Sequence, residues 1–359
     1  MKPFNYSLDL VKRKSQQNFF KVISLFAGCG GSSTGYRLAG GNILAINEFI
    51  KDAYECYAKN YPDTHIFTQD VRQLKAEDIF KELNIKKGEL DILDGSPPCA
   101  SFSMAGLREK AWGQEKKYSD TVQRTDDLFF EFARLVRDVQ PRVFVAENVK
   151  GLTMGASQNL LGSAQTHIFD EHKKTIYYNL ISCGYSVEYR VLDSSDYYVP
   201  QARERIIFIG VRNDILKNIT YPEKIKDKIT IQEVIDNIKI EIDSSYKKLS
   251  KEQQRVYDLQ QPGESMLACG DRIKEKISGA GRIRLDANKP CRTVTTSAEL
   301  WHPHIKRTLT IDELKSVCSF PYDYYLGETF AKKWERLGRS VPPLMMYAIA
   351  KHIYNTILK

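Results

Sequence analysis

The stretch Phe20-Lys-Val-Ile-Ser-Leu-Phe-Ala-Gly-Cys-Gly-Gly31 decides the fold class of this 359-residue chain. It begins as the apolar run of a buried strand, ends in a glycine-rich turn, and is followed over 32–39 by a helical pattern. Glycines at such a turn allow positive φ and a close approach of the backbone to a ligand. The turn lacks the GxGxxG spacing and a phosphate-binding lysine, so a zwitterionic amino-acid tail suits it better than a dinucleotide or a nucleoside triphosphate. A purely structural tight turn is the alternative.

Strands and helices alternate from this unit to about residue 210. Further strands are predicted over 42–46, 90–93, 143–146, 187–192 and 205–211. The helix before the strand at 143 has Asp126 or Asp127 as its cap and apolar residues at helical spacing from Leu128 onward. The alternation predicts an α/β fold with a doubly wound, mostly parallel, Rossmann-like sheet.

The alternation ends after Val211. From 212 to about 288 the chain is rich in lysine and weakly periodic, with a short helix predicted over 231–238, which indicates a second, smaller module. Helical signals then return: Thr310-Ile-Asp-Glu313 is a capping box, and Pro342-Pro343 suits the first turn of a terminal helix.

Composition narrows the class of protein. The net charge of +8 fits a nucleic-acid partner. Seven scattered cysteines without a CxxC pair argue against a disulfide framework and indicate a reducing compartment. Cys291, His302 and His304 match no zinc spacing, so no metal site is expected. Without a signal peptide or a membrane-length apolar run, we expect a soluble, cytoplasmic protein.

Pro97-Pro98-Cys99 follows the apolar run at 90–93 and a Gly-Ser pair. Two prolines stiffen this turn, and its position beyond a strand end would project the thiol into the crevice of an open α/β sheet. Such a thiol suits a nucleophile, and a buried structural cysteine is the alternative. Two carboxylates are candidates for the ligand site: Glu48 for ribose hydroxyls and Asp70 for an exocyclic amine, with solvated surface carboxylates as the alternative.

Six motifs in a fixed order resemble the motif set of the DNA cytosine carbon-5 methyltransferases, from about residue 20 to the C-terminus. They are Phe26-Ala-Gly-Cys-Gly-Gly31, Pro98-Cys99, Glu147-Asn-Val149, Gln201-Ala-Arg-Glu-Arg205, Arg292-Thr-Val-Thr295 and Gly338-Arg-Ser-Val341. The resemblance implies the fold of S-adenosylmethionine-dependent methyltransferases and S-adenosylmethionine as the cofactor.

The resemblance also implies roles for individual residues. Cys99 would be the nucleophile, Glu147 the acid at ring nitrogen 3, and Arg205, with Arg203, the contact to the base carbonyl. The implied cofactor-binding residues are Phe26, Ala27, Gly28, Cys29, Gly30, Gly31, Glu48, Phe49, Asp70, Val71, Ser96, Pro98, Leu128, Ser340 and Val341.

A base inside a duplex cannot reach Cys99, so the target cytosine must be flipped out. In the family the segment 100–126 is a loop that closes over DNA, and we expect Trp112 to become buried on closure. The candidate DNA-binding residues are Ser101, Arg108, Arg124, Arg282 and Arg284. The last two follow Gly279-Ala-Gly281, where small residues allow close approach to bases. A hairpin turn with solvated arginines is the alternative.

The resemblance predicts a catalytic domain over 1–212, a target-recognition domain over 213–304 and a return to the catalytic domain over 305–359. The predicted protein is a monomer on nucleoid double-stranded DNA, accompanied by a restriction endonuclease or another defence system. One alternative is a tRNA cytosine-5 methyltransferase, although the Cys-Phe-Thr element of that branch is missing. The other is a DNA-binding protein with impaired catalysis, because Arg339 replaces the asparagine usual in the family.

Overall fold

The computed structural model describes residues 4–98, 116–118, 121–123, 127–153, 161, 175–238, 240–277, 279, 281–296 and 299–359. The predictions for Cys99, Ser101, Arg108, Trp112 and Arg124 lie outside the described residues.

Eleven strands are found in the described part of the chain. They are β1 (Phe20–Leu25), β2 (Gly41–Asn47), β3 (His65–Phe67), β4 (Ile92–Gly95), β5 (Lys116–Tyr118), β6 (Thr121–Gln123), β7 (Val143–Val149), β8 (Tyr185–Asp193), β9 (Glu204–Arg212), β10 (Arg282–Arg284) and β11 (Glu299–Trp301).

The α-helices of the same residues are mostly short. They are α1 (Leu8–Ser15), α2 (Gly31–Leu38), α3 (Lys51–Asn60), α4 (Ala76–Leu83), α5 (Leu128–Val139), α6 (Ile176–Ile181), α7 (Ile231–Asn237), α8 (Lys251–Leu259), α9 (Met266–Ile273), α10 (Ile311–Val317), α11 (Phe330–Arg339) and α12 (Pro343–Ile353). In the described part of the chain, no helix is long and apolar enough to cross a membrane.

A seven-stranded sheet has the order β3-β2-β1-β4-β7-β9-β8. The pairs from β3 to β7 are parallel, and β9 runs antiparallel to β7. The mostly parallel α/β prediction is therefore confirmed. In a sheet that is wound both ways from β1, the carboxyl ends of β1, β2, β3 and β4 meet at one edge, which is where such sheets bind ligands.

The chain forms two compact units. The sheet unit comprises Lys12–Leu192, Glu204–Pro222 and Tyr347–Lys359, and the second unit comprises Met1–Val11, Asp193–Arg203 and Glu223–Met346. These units describe packing. The boundaries proposed above for catalysis and target recognition concern function and stay a prediction.

Helix α5 packs closely on β4 in the sheet unit. A Cβ at Gly95 would lie 2.5 Å from a ring carbon of Phe132, so the helix approaches the strand at a distance that only glycine permits. Phe132 also packs edge-to-face on Phe144 of β7. This contact fixes the start of α5 beside the turn that leads toward Cys99.

The cap predicted for α5 is only half correct. Asp127 is the N-cap residue, but its side chain makes no capping hydrogen bond. Its carboxylate instead accepts two hydrogen bonds from Arg72, at 2.9 Å from Nε and 2.6 Å from Nη2. A charge-assisted fork to arginine outcompetes a bond to a backbone amide.

The second unit contains helices α7 to α11 and the short parallel pair β10–β11. The short helix predicted over 231–238 and the capping box predicted at Thr310 are both confirmed. Thr310 accepts from Glu313 N at 3.1 Å in the predicted capping box, and α7 has a similar box from Thr230. Arg282–Arg284 forms a strand that pairs in parallel with β11, so the hairpin alternative for this segment is wrong.

Candidate active site

The glycine-rich turn lies between β1 and α2, at the carboxyl edge of the sheet. Its backbone has positive φ at Phe26 (54°), Gly28 (55°) and Gly30 (92°). A Cβ built at Gly28 would meet nothing within 4 Å, which leaves open space beside the turn. The turn thus leaves room for a ligand beside Gly28, while the amide nitrogens of Gly28 and Gly30 donate to Glu48 Oε2 and to Ala27 O.

Glu48 follows β2 and contacts this turn directly. It is 9% exposed, and its two carboxylate oxygens accept from Gly28 N and Ile50 N, each at 2.9 Å. Burial raises the pKa of Glu48, and these backbone hydrogen bonds oppose the effect. Glu48 thus holds the turn in place, a role that the sequence did not indicate.

Asp70 lies at the next strand end and is bound by Arg72. Its Oδ1 accepts from Arg72 N and its Oδ2 from Arg72 Nη1, both at 2.9 Å. Because Arg72 also donates two hydrogen bonds to Asp127, one guanidinium joins the turn at Asp70 to the start of α5. Arg134 of α5 donates to the carbonyls of Val71 at 2.9 Å and Leu74 at 3.0 Å. The turn and α5 are thereby fixed to each other.

The remaining predicted cofactor residues of the sheet unit follow the same strand ends. Val71 and Leu128 are nearly buried in one apolar cluster with Phe26 packed against it, and Cys29 is buried. Phe49 is half-buried, as are Ser96 and Pro98 in the turn after β4. Pro98 is the last described residue before Cys99.

Glu147 and Arg205 form an ion pair within the sheet unit. Arg205 Nε lies 2.7 Å from Glu147 Oε1, and both side chains are close to buried, at 13% and 10% exposure. Val149 opposes Arg205 in the β7–β9 register, and Glu147 is two residues earlier, so the two charged side chains share one face of the sheet. The residues predicted for the acid and for the carbonyl contact are thus brought together.

Arg203 has different surroundings from Arg205. It belongs to the second unit, where its Nη1 donates to the carbonyls of Val294 and Gly338, each at 2.9 Å. Arg203 is 3% exposed, and its guanidinium joins Val294 to Gly338 in the interior of this unit. A direct contact of Arg203 with the base therefore stays a prediction from the resemblance.

The predicted cofactor residues Ser340 and Val341 also belong to the second unit. Ser340 Oγ donates to Arg336 O at 2.6 Å at the end of α11. The unusual Arg339 forms an ion pair with Glu335 one turn earlier, at 3.0 Å. A residue that pairs along its own helix gives no reason to expect impaired catalysis.

The two candidate DNA-binding arginines of the second unit differ in their contacts. Arg284 donates to the carbonyls of Pro303 and Gln260 and lies 4.6 Å from the ring centre of Tyr257. Arg282 is 38% exposed and pairs with Glu299 at 3.1 Å. Arg284 therefore holds the unit together, whereas Arg282 has the more accessible guanidinium.

Sequence reasoning missed one buried acid, Asp94 of β4. It is 1% exposed, and its carboxylate accepts from Ser24 Oγ at 2.6 Å and from the Tyr36 hydroxyl at 3.2 Å. Burial raises its pKa to about 7. The signal was present, since an aspartate within an apolar strand run is unusual.

Comparisons with known proteins agree with this geometry. The family model of C-5 cytosine-specific DNA methylases matches residues 20–355. The Type II methyltransferase M.NgoPII of Neisseria gonorrhoeae is 30% identical, over 95% of this chain and 97% of its own length. The Type II methyltransferase M1.HphI of Haemophilus parahaemolyticus is 32% identical, over 92% of this chain and 86% of its own.

Solved structures share the fold at lower identity. A prophage-encoded E. coli protein assigned as a DNA modification methyltransferase has a TM-score of 0.68 at 23% identity, covering 95% of this chain and 100% of that one. A mutant of Spodoptera frugiperda DNMT2 has a TM-score of 0.65 at 16% identity, with the same coverage. The family match spans nearly the whole chain, and we conclude that this protein belongs to the C-5 cytosine-specific DNA methylases.

Proposed function

We propose that this DNA cytosine methyltransferase modifies one specific double-stranded sequence and protects it from a cognate restriction endonuclease, as the Type II relatives' names suggest. It would act in the cytoplasm on nucleoid DNA. The observation that carries the proposed chemistry is the nearly buried pair of Glu147 and Arg205, beside the strand ends that hold the ligand turn.

The residues at the carboxyl edge fit S-adenosylmethionine, the methyl donor of this family. The open space beside Gly28 suits a zwitterionic tail that hydrogen-bonds backbone groups. Glu48 uses one acceptor position of Oε2 on Gly28 N of the turn and one of Oε1 on Ile50 N, and a carboxylate has about four, so it retains capacity for ribose hydroxyls. Asp70 is held by Arg72 in a position to accept from an adenine amine.

Cysteine chemistry supplies the activation that cytosine needs. Carbon 5 is too electron-poor to take a methyl group unaided, and addition of the Cys99 thiolate to carbon 6 makes carbon 5 nucleophilic. Bound S-adenosylmethionine supplies the methyl group. Loss of the carbon-5 proton to a base then releases Cys99 and restores the ring.

Glu147 and Arg205 are proposed to stabilise the charge that develops on the ring. Glu147 in its acid form would donate to nitrogen 3, and Arg205 would donate to the carbonyl oxygen at position 2. The 2.7 Å ion pair is a contact of the carboxylate form of Glu147. Entry of the base therefore has to be accompanied by protonation of Glu147.

Specificity is assigned to residues 213–304, the proposed target-recognition domain. Its exposed Arg282 would contact DNA, and Arg284 would support the strand that carries it. Ser101, Arg108 and Arg124 are proposed to contact DNA from the segment that follows Cys99. We propose a monomer that flips the base into the site.

Bisulfite sequencing of host DNA tests this proposal. Cells expressing the protein should contain 5-methylcytosine in one sequence motif, and cells expressing Cys99→Ser should contain none. Purified protein should form a covalent adduct with DNA that carries 5-fluorocytosine in that motif, because fluorine cannot leave as the proton does. Unmethylated host DNA together with no adduct for the wild-type protein would contradict the proposed function, and an adduct with Cys99→Ser would contradict the assignment of the nucleophile.

A further inference from the structure

The short strand pair β10–β11 of the second unit places an arginine directly opposite a glutamate. Arg282 of β10 and Glu299 of β11 are partners in the parallel register, so their side chains lie on the same face of the pair. Ile283 and Leu300, one residue later on each strand, are buried and turn to the other face. The buried face therefore fixes the backbone from which Arg282 projects.

The carboxylate of Glu299 accepts hydrogen bonds from three side chains. Its Oε2 accepts from Arg282 Nε at 3.1 Å and from Gln253 Nε2 at 3.4 Å. Its Oε1 accepts from Lys247 Nζ. The Glu299 side chain is 18% exposed, against 38% for Arg282 and 54% for Lys247. A mostly covered carboxylate thus holds two cationic side chains that are more accessible than it is.

Glu299 is itself held in place by the start of helix α8. In the capping box of this helix, Gln253 Oε1 accepts from Ser250 N at 2.8 Å, and the same amide group donates to Glu299 from Nε2. Because the amide is fixed at one end by the cap, it limits the movement of the carboxylate at its other end. Burial would raise the pKa of Glu299, but Lys247 and Arg282 lower it overall, so Glu299 is charged at neutral pH.

Gly279 confines the Arg282 side chain independently of Glu299. A Cβ built at Gly279 would lie 3.1 Å from Arg282 Nη1 and 3.4 Å from its Cδ, so the side chain packs directly on the glycine backbone. Gly279 has a φ of 128°, which other residues rarely adopt, and its carbonyl accepts from Arg282 N at 3.0 Å. The guanidinium is therefore bounded by Glu299 at Nε and by Gly279 beside Nη1.

The donors that remain on Arg282 define what it can bind. Nε is taken by Glu299, and among the described residues Nη1 and Nη2 donate to no acceptor. The two terminal nitrogens form a fork that matches the paired acceptors O6 and N7 of guanine in the major groove. An unheld arginine would have to lose rotamer freedom to present this fork. With Nε occupied, the terminal fork is the bidentate contact that Arg282 can offer.

We propose that Glu299 is a positioning residue for target recognition: it holds Arg282 by Nε so that the two terminal nitrogens of the guanidinium bind O6 and N7 of one guanine in the target sequence. This inference rests on the proposed function, which assigns a DNA contact to Arg282. Glu299 itself touches no DNA in this scheme, and its negative charge opposes binding to DNA of any sequence. Prior orientation of the fork lowers the cost of ordering it and so favours the correct base.

Discrimination between base pairs tests the proposal without any need for methylation. Selection of bound duplexes from a random library gives the recognised motif. Fluorescence anisotropy with S-adenosylhomocysteine then gives Kd for that duplex and for duplexes with one base pair exchanged. We expect Arg282→Ala to lower the discrimination at one G·C pair about tenfold or more, and Glu299→Gln to lower it at the same pair about three- to tenfold. The double variant should lose no more than Arg282→Ala, because Glu299 acts through Arg282.

Affinity for a duplex without the motif should change in the opposite direction. Glu299→Gln is expected to tighten this binding about twofold, because a negative charge beside the phosphates is lost. A purely structural role of Glu299 would weaken binding to both duplexes. Glu275→Gln is the matched control: it removes the same charge from an ion pair with Arg255, at 2.8 Å in the same unit, and should keep full discrimination at every base pair.

Full discrimination by Glu299→Gln would overturn the proposal, as would an equal loss at every base pair, additive losses in the double variant, or failure of the wild type to select a motif. Thermal melting shows whether each variant folds. If Glu299→Gln does not fold, Glu299→Asp decides: its shorter side chain withdraws the carboxylate from Nε, and discrimination at the same pair should fall. A protein that selects a motif but methylates no DNA would overturn the proposed function and leave the role of Glu299 standing.

Discussion

Three single residues concentrate the charge of the site: Asp94, Glu147 and Arg205. All three are nearly withdrawn from water: Glu147 and Arg205 balance each other's charge, and Asp94 accepts hydrogen bonds from two hydroxyl groups. Removal of Glu147 or of Arg205 leaves the other nearly buried without this ion-pair partner, which is costly. Effects of substitution here should therefore be large and separable from effects on surface residues.

Glu147→Gln is expected to slow methyl transfer by roughly 100-fold or more, the range for loss of a general acid. The amide retains the volume of the side chain and the site for cofactor, so cofactor affinity should stay unchanged. Single-turnover methylation of duplex DNA measures the rate. Glu204→Gln, at the neighbouring ion pair with Lys150, is the control and should methylate normally. A rate for Glu147→Gln within a few-fold of wild type would show that Glu147 is structural.

Asp94 also predicts a pH dependence of stability. Its pKa is about 7 in the folded protein and ordinary in the unfolded chain, so between about pH 4 and 7 only the folded state holds this proton. The free energy of unfolding therefore falls as pH rises through this interval, by up to about 4 kcal/mol from this group. Urea unfolding at pH 5 and pH 8 samples about two of these three pH units and should show a loss of about 3 kcal/mol from this group in wild type, with a smaller loss in Asp94→Asn. Equal losses in the two proteins would disprove the burial effect.

At the scale of elements, turns and helix starts position the residues that we propose to bind the cofactor. The turn after β3 and the start of α5 contribute Asp70, Val71 and Leu128, and they are joined by Arg72 and Arg134. Among the described residues, no backbone–backbone hydrogen bond joins the turn after β3 to α5. The side-chain hydrogen bonds of Arg72 and Arg134 therefore fix the turn and the helix start relative to each other at the proposed adenine site.

Asp127→Asn is expected to weaken cofactor binding by about three- to tenfold, because it removes half of the Arg72 fork. Isothermal titration with S-adenosylhomocysteine measures the change without DNA. Asp214→Asn breaks a similar fork, from Arg212 at 2.7 Å, away from the strand ends. Equal cofactor affinities of the two variants would exclude a role of the fork in the site.

At the scale of the whole molecule, we propose that catalysis and target recognition belong to regions that differ in sequence pattern. The sheet unit contains the carboxyl edge proposed to bind the cofactor and the pair of Glu147 and Arg205, and the lysine-rich region beyond Val211 lacks the alternation of strands and helices. Base reading requires side chains that vary with the target sequence, whereas phosphate contacts position the protein. We therefore expect target recognition to reside in a region that can be exchanged without loss of the catalytic residues.

Exchange of residues 213–304 for the corresponding block of a relative with another specificity should move the methylated motif. Cofactor affinity should stay unchanged, because the residues proposed to hold the cofactor lie outside the block. Bisulfite sequencing reports the motif. Methylation of the original motif by a folded exchange variant would place target recognition elsewhere.

The sequence alone determined the order of elements, since periodicity is a local property of the chain. The strands at 20–26 and 143–146, the parallel sheet and the capping box at Thr310 were all predictable from neighbouring residues. The resemblance added the roles predicted for Cys99, Glu147 and Arg205. Local pattern was misleading at Asp127, where a cap residue has a stronger partner 55 positions away.

Only the tertiary structure decided which charges meet. Asp94 contacts Ser24 across 70 residues of sequence, and Arg205 reaches Glu147 from an antiparallel strand. Strand order and register determine these contacts, and both depend on how the whole sheet assembles. A carboxyl group acquires its proton affinity from burial and from neighbours in space, so the chemistry of Asp94 became visible when the strands were placed side by side.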